Sequence, residues 1–129
     1  MYQKWSCNLL YACMLILALI APGCGKAPPP TDKAERNVEE FLDSWSRGEL
    51  PDQFADANRP IQGTDPDWKA GYRLLSFLCA EAKQSEETPD HVRCRVALAL
   101  QDKKGKRWDK DVVYDVQLGD KCVINRVSP

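Results

Sequence analysis

His91-Val-Arg-Cys-Arg-Val-Ala-Leu-Ala-Leu-Gln101 is the stretch on which the fold turns. Val92, Cys94, Val96, Leu98 and Leu100 take every second position, with Arg93, Arg95, Ala97 and Ala99 between them. Successive strand side chains point to opposite faces, so this period of two predicts a β-strand with one face in a core. Downstream, Asp102-Lys-Lys-Gly-Lys-Arg107 predicts a hairpin loop, and Lys110-Asp-Val-Val-Tyr-Asp-Val-Gln-Leu118 the next strand. Gly119-Asp120 has the Gly-X pattern of a two-residue turn, and Lys121-Cys-Val-Ile-Asn-Arg-Val127 would close the sheet. Upstream, Leu74 to Lys83 is rich in strand formers and predicts the first strand, after a helical turn at Trp68–Ala70.

Ahead of the strands the period changes. Ala34, Val38, Phe41, Leu42 and Trp45 recur at helical spacing, and Glu35, Arg36, Glu39, Glu40 and Asp43 cover the other side. Asp32 followed by Glu35 has the capping-box spacing, and Gly48 with Pro51 marks the stop. Pro51 to Ala57 predicts a short helical turn burying Phe54. Pro60, Gly63 and Pro66 predict an irregular loop in which Ile61 is a lone core contact. The expected fold class is α+β: one helix packed on the concave face of a curved four-stranded antiparallel meander. Trp45, Phe41 and Leu42 would meet Val96, Leu98, Val112, Tyr114 and Val116 there.

The chain starts with a different kind of segment. Met1 and Lys4 precede the apolar run from Leu9 to Ala21, and Pro22-Gly23-Cys24 follows. The run is shorter than the roughly 20 apolar residues of an ordinary spanning helix, and it stops abruptly at Pro22. This pattern predicts an export signal over residues 1–23. Ile20-Ala-Pro-Gly-Cys24 resembles the lipobox of bacterial lipoproteins. That resemblance implies a diacylglyceryl group on the Cys24 thiol, cleavage before it, and an acyl chain such as palmitate on the new amino terminus. Ala21-Pro-Gly23 also suits ordinary signal cleavage, which would release a soluble product. Residues 24–31 then form the lipidated cysteine and a tether. Its Pro28-Pro-Pro30 favours extended polyproline II, either as a stalk or as a plain linker. Residues 32–129 form a single domain, in keeping with 43% hydrophobic and 29% charged residues.

Val38-Glu-Glu-Phe-Leu-Asp-Ser-Trp-Ser-Arg-Gly48 at the head of this order, with Trp68-Lys-Ala-Gly-Tyr72 before the sheet, resembles the NTF2-like group of the cystatin-like superfold. The resemblance implies a small exported bacterial lipoprotein with an NTF2-like domain, and relatives of that kind often dimerise through the sheet. Enzymes of the group, such as ketosteroid isomerase, pair an acidic base with a tyrosine. Here Tyr114 and Asp115 are adjacent on a strand and face opposite sides, so the activity does not transfer. A cystatin-type Gln-x-Val-x-Gly is also missing from Gln117-Leu-Gly-Asp-Lys121.

No catalytic constellation, metal set or cofactor motif is visible in the sequence. His91 is the only histidine and reads as an exposed loop residue. Trp45 and Tyr114 are the candidate cavity-lining residues between helix and sheet. A hairpin centred on Glu86-Glu87 would set Cys79 opposite Cys94, a candidate disulfide; the alternative is two buried free thiols. Lys103, Lys104, Lys106, Arg107 and Lys110 form a basic hairpin tip. It could contact anionic lipid or glycan, but Asp102, Asp109 and Asp111 favour a merely solvated loop. Trp108, Trp68 and Tyr72 are the aromatics that a partly exposed binding groove could use, with core packing or a lid over the sheet edge preferred for Trp68. The net charge of −1 argues against a nucleic-acid partner. The expected function is a non-enzymatic binding or structural module, held by its lipid on a membrane and facing the periplasm or the cell exterior. Its partner would be an unidentified protein or small ligand, or a second copy through the sheet. The alternative is a small-ligand binder or enzyme using the cavity between helix and sheet.

Overall fold

The computed structural model describes residues 28–128; the expected export signal over residues 1–23 and Cys24 lie outside them. Helix α1 runs Pro30–Ser46. It starts two residues ahead of the expected Asp32 cap, and no side chain caps it. Pro30 takes the first helical position, where a missing N–H costs nothing and a fixed φ is helical already. The Pro29 carbonyl accepts from the N–H groups of Asp32 and Lys33 at 3.0 and 3.2 Å. Asp32 lies in the first turn, where its charge faces the positive end of the helix dipole. Gly48, at φ +87°, ends the helix in a conformation other residues resist. The whole expected stripe is buried: Ala34, Val38, Phe41, Leu42 and Trp45. Helix α2 follows at Pro51–Asp56 and buries Phe54 as expected.

The sheet has five strands in the order β1-β5-β4-β3-β2. They are β1 (Ile61–Thr64), β2 (Arg73–Gln84), β3 (His91–Gln101), β4 (Arg107–Gln117) and β5 (Cys122–Arg126). A four-residue helix α3, Pro66–Lys69, joins β1 to β2. The sheet is therefore mixed, and the expected four-stranded antiparallel meander is corrected by one strand. β1 pairs in parallel with β5, Ile61 opposite Cys122 and Thr64 opposite Asn125. This strand escapes pattern reading because it is short, lies at an edge and is bracketed by Pro60 and Pro66. Its central Gly63 also looks like a breaker.

Three local expectations change as well. β4 begins at Arg107 rather than Lys110, so the hairpin loop is tighter than its composition suggests. Gly119 does not take the positive φ of a Gly-X turn, and the chain from Leu118 to Lys121 forms a wider connection. β2 carries register irregularities between Leu74 and Ser76 and between Cys79 and Glu81. The turn is centred near Thr88 rather than on Glu86-Glu87: Gln84 pairs with Val92, which sets Cys94 opposite Ala82 and, past the second irregularity, Cys79 opposite Val96, and the two thiols are free. The expected alignment placed the turn too early in the chain, and the irregularities recover only part of that offset.

α1 lies across the inner sheet face, and the core between them is continuous. Phe41 is its centre, with edge-on contacts to Phe54, Trp68 and Tyr114 at 5.5, 5.4 and 6.0 Å between ring centroids. The glycine in β1 belongs to this arrangement. A Cβ at Gly63 would stand 2.6 Å from Cε2 of Phe41. We therefore expect Gly63→Ala to destabilise the domain by about 1–3 kcal/mol through overpacking. A lower urea midpoint at unchanged slope would show it, and adding Phe41→Leu should recover part of the loss.

Candidate functional site

The chemistry-bearing side chains converge under the core, where α3 meets β4 and β5. Asp65 precedes α3, and its Oδ1 accepts from the N–H groups of Asp67 and Trp68 at 2.7 and 3.2 Å. The other oxygen, Oδ2, accepts the Tyr114 hydroxyl at 2.5 Å. Arg126 Nη1 lies 3.3 Å from Asp65 Oδ1 and 2.5 Å from Asp67 Oδ2, and Lys110 Nζ donates to Asp67 Oδ2 at 3.1 Å. Asp65 and Tyr114 are fully buried, and the Arg126 side chain is 3% exposed. Two carboxylates thus face two cations, with Asp65 and Arg126 buried and Asp67 and Lys110 reaching partly to solvent.

Burial of the Tyr114 phenol, reinforced by the negative Asp65 beside it, drives its pKa far up. Tyr114 is therefore a fixed hydrogen-bond donor, not a proton-transfer group at physiological pH. Burial pushes the Asp67 carboxyl up, but hydrogen bonds and charge from Arg126 and Lys110 outweigh it, and its pKa is lowered overall. Among the described residues, no buried side-chain nitrogen or oxygen lacks a hydrogen-bond partner. The network satisfies itself, so its polar atoms clamp α3 to the sheet and are not aimed at a ligand.

The candidate residues separate. Tyr114 is enclosed by Phe41 and Asp65 and is not on the wall of an open cone. Asp115, on the other sheet face, meets His91 Nδ1 at 2.8 Å, so His91 is a half-buried strand residue with a partner and not an exposed loop residue. Trp45 stacks on Trp68 at 5.8 Å and 15°. Their indole N–H groups donate to the carbonyls of Tyr72 and Glu49 at 2.8 and 2.9 Å. Trp68 is thereby buried, while Tyr72 and Trp108 stay half-buried and meet edge-on at 5.1 Å. A cleft of about 210 Å³ opens at this end, lined by residues that include Trp45, Arg47, Leu50, Trp68, Tyr72 and Arg73.

On the opposite side of α1, Glu35, Glu39 and Cys79 bring potential ligand atoms within 4.8 Å of one another. Burial raises the Cys79 thiol to about 11, with Glu39 and Glu35 adding to the shift, so without a bound cation it is protonated at neutral pH. Burial likewise lifts Cys94 to about 12 and raises Cys122. All three are free thiols. In native protein they should react slowly with an aromatic disulfide reagent, and unfolding residues 32–129 without reductant should release three equivalents. A count of one would restore the Cys79–Cys94 bridge.

Asp65, Asp67, Lys110 and Arg126 were not expected to form a site. A signal for them exists in the strand alternation. Arg126 follows Cys122 and Ile124 on the inward phase of β5, and Lys110 precedes Val112 and Tyr114 on the inward phase of β4. Two cations on core-facing positions require buried carboxylates nearby, and Asp65-Pro-Asp67 supplies them. Compared with known proteins, the chain matches no family model, no curated protein and no solved structure.

Proposed function

We propose that this chain is a lipid-anchored envelope protein whose domain, of NTF2-like or cystatin-like type, serves as a non-enzymatic binding or structural module. The observation that carries the module half is the filled space between helix and sheet. Phe41, Phe54, Trp68 and Tyr114 occupy it, and the one acidic residue beside Tyr114 is a helix cap held by Arg126. An enzyme of this architecture needs that volume open and a polar group facing it. The anchoring half rests on the apolar leader ending at Gly23-Cys24. Two or more acyl chains, at about 0.8 kcal/mol per buried methylene, would hold the protein on the bilayer where one would not. Fractionation of a bacterial host expressing the full chain tests this. Wild type should stay in the membrane fraction through salt and carbonate washes, and Cys24→Ser should leave it. Equal retention of both would reject the anchor.

Self-association through the outer sheet face is a second reading, favoured by one observation. Leu78 is 68% exposed on that face, in the edge strand β2 opposite Ala97 of β3. Sedimentation at two concentrations should reveal a dimer that Leu78→Asp abolishes; a monomer at both would exclude it.

A further inference from the structure

From its far end, we infer that the domain binds an anionic polysaccharide. The inference rests on the binding-module reading above and names its partner class. Trp45, near the C-terminus of α1, donates to the Tyr72 carbonyl, and the Tyr72 ring meets Trp108. Gly71 lies against Lys103 of the β3–β4 hairpin, where a Cβ would come 3.0 Å from its Cε. The hairpin tip and the aromatic cleft are therefore one continuous surface. Lys69, Arg73, Lys103, Lys104, Lys106 and Arg107 are all exposed there.

The acidic residues that balance this tip in the sequence do not cover it in the fold. Asp102 Oδ1 is turned into the hairpin, accepting from the N–H groups of Lys104 and Lys106 at 2.8 and 2.9 Å. Asp109 and Asp111 pair with Ala99 and Ala97, further down the outer face. Glu49 in the cleft is taken by Arg59 at 2.6 Å. Among the described residues, none of the six cations has a salt-bridge partner. Unpaired cations clustered on one end attract a polyanion. The half-buried rings of Tyr72 and Trp108 beside them, with Trp45 and Trp68 buried behind, offer an apolar surface that suits sugar rings better than a bare phosphate chain.

Position selects against the anchoring bilayer as the partner. The tip stands at the C-terminal end of α1, whose 17 residues span about 25 Å. The six residues from Cys24 to Pro29 reach at most about 20 Å even when fully extended. With α1 upright on that tether, the cations at its far end face away from the bilayer.

The test uses the full chain in non-ionic detergent, with polygalacturonate as the probe and dextran as its neutral counterpart. Polygalacturonate should bind and dextran should not. Raising salt from about 0.1 to about 1 M, which shortens the screening length from about 10 to about 3 Å, should release the polymer. The combined variant Lys103→Glu, Lys104→Glu, Lys106→Glu should weaken binding about tenfold or more, and Arg73→Glu should weaken it through the cleft. A matched reversal at the other end, Lys33→Glu, Arg36→Glu, Lys121→Glu, should leave it unchanged. Failure to bind, equal loss in the matched reversal, or equal affinity for polyphosphate or anionic phospholipid vesicles would overturn the inference. None of these outcomes depends on acylation of Cys24, so the anchor stands or falls separately.

Discussion

Asp65→Ala is expected to destabilise the domain by about 3–5 kcal/mol, the cost of breaking a buried ion pair together with the hydrogen bonds the same carboxylate accepts. That carboxylate caps α3 and receives the Tyr114 hydroxyl, which are both left unpaired, and Arg126 keeps only Asp67. Tyr114→Phe removes only one of these contacts and should cost about 1–3 kcal/mol. Asp65→Asn keeps the size and one accepting oxygen and should fall between the two. Urea denaturation followed by tryptophan fluorescence measures all three. If Asp65→Ala matched an ordinary surface change, within about 0.5 kcal/mol, the network would not be the clamp described.

The same cluster sets a pH dependence. Asp67 is held below the free carboxylate value of 3.8 in the folded chain. A depressed carboxyl stabilises the fold above its unfolded pKa and loses that contribution as pH falls through the folded value. The urea midpoint should therefore fall on acidification below 3.8, and Asp67→Asn should flatten the part of that fall owed to Arg126 and Lys110.

Phe41→Ala is the second large effect, at about 3–5 kcal/mol for a buried aromatic truncated to a methyl. Phe41 is fully buried and touches α2, α3 and β4 through Phe54, Trp68 and Tyr114. The surrounding rings belong to separate elements, so the site collapses poorly and the cavity remains. Phe41→Leu should cost well under half as much, and Phe41→Ala with Gly63→Ala should cost less than the two separately, because the added methyl enters the emptied space. Strict additivity would mean that β1 does not approach the helix as closely as it does here.

The pattern in the chain revealed the elements whose periodicity is long and clean. The stripe Ala34 to Trp45 and the alternation Val92 to Leu100 are each buried as read, because one face of each element meets the core along its length. β1 was not legible. Four residues cannot establish a period, and Gly63 is selected by the ring above it, a tertiary reason that no local propensity carries. The cysteine register failed because the turn between β2 and β3 lies further along the chain than Glu86-Glu87, and the order of apolar and polar residues does not mark its centre. The polar clamp was half legible. A helical turn was read at Trp68–Ala70 without its Asp65 cap, and the pairing of Asp65 with Arg126 spans 61 positions and shows only as an arginine on the apolar phase of the last strand.

Intact-mass spectrometry of the mature protein, extracted in detergent, tests the central claim most directly. The account predicts a chain beginning at Cys24 and heavier than its sequence by one diacylglyceryl group and one acyl chain. A product that retains residues 1–23, or one whose Cys24 carries no lipid, would contradict it.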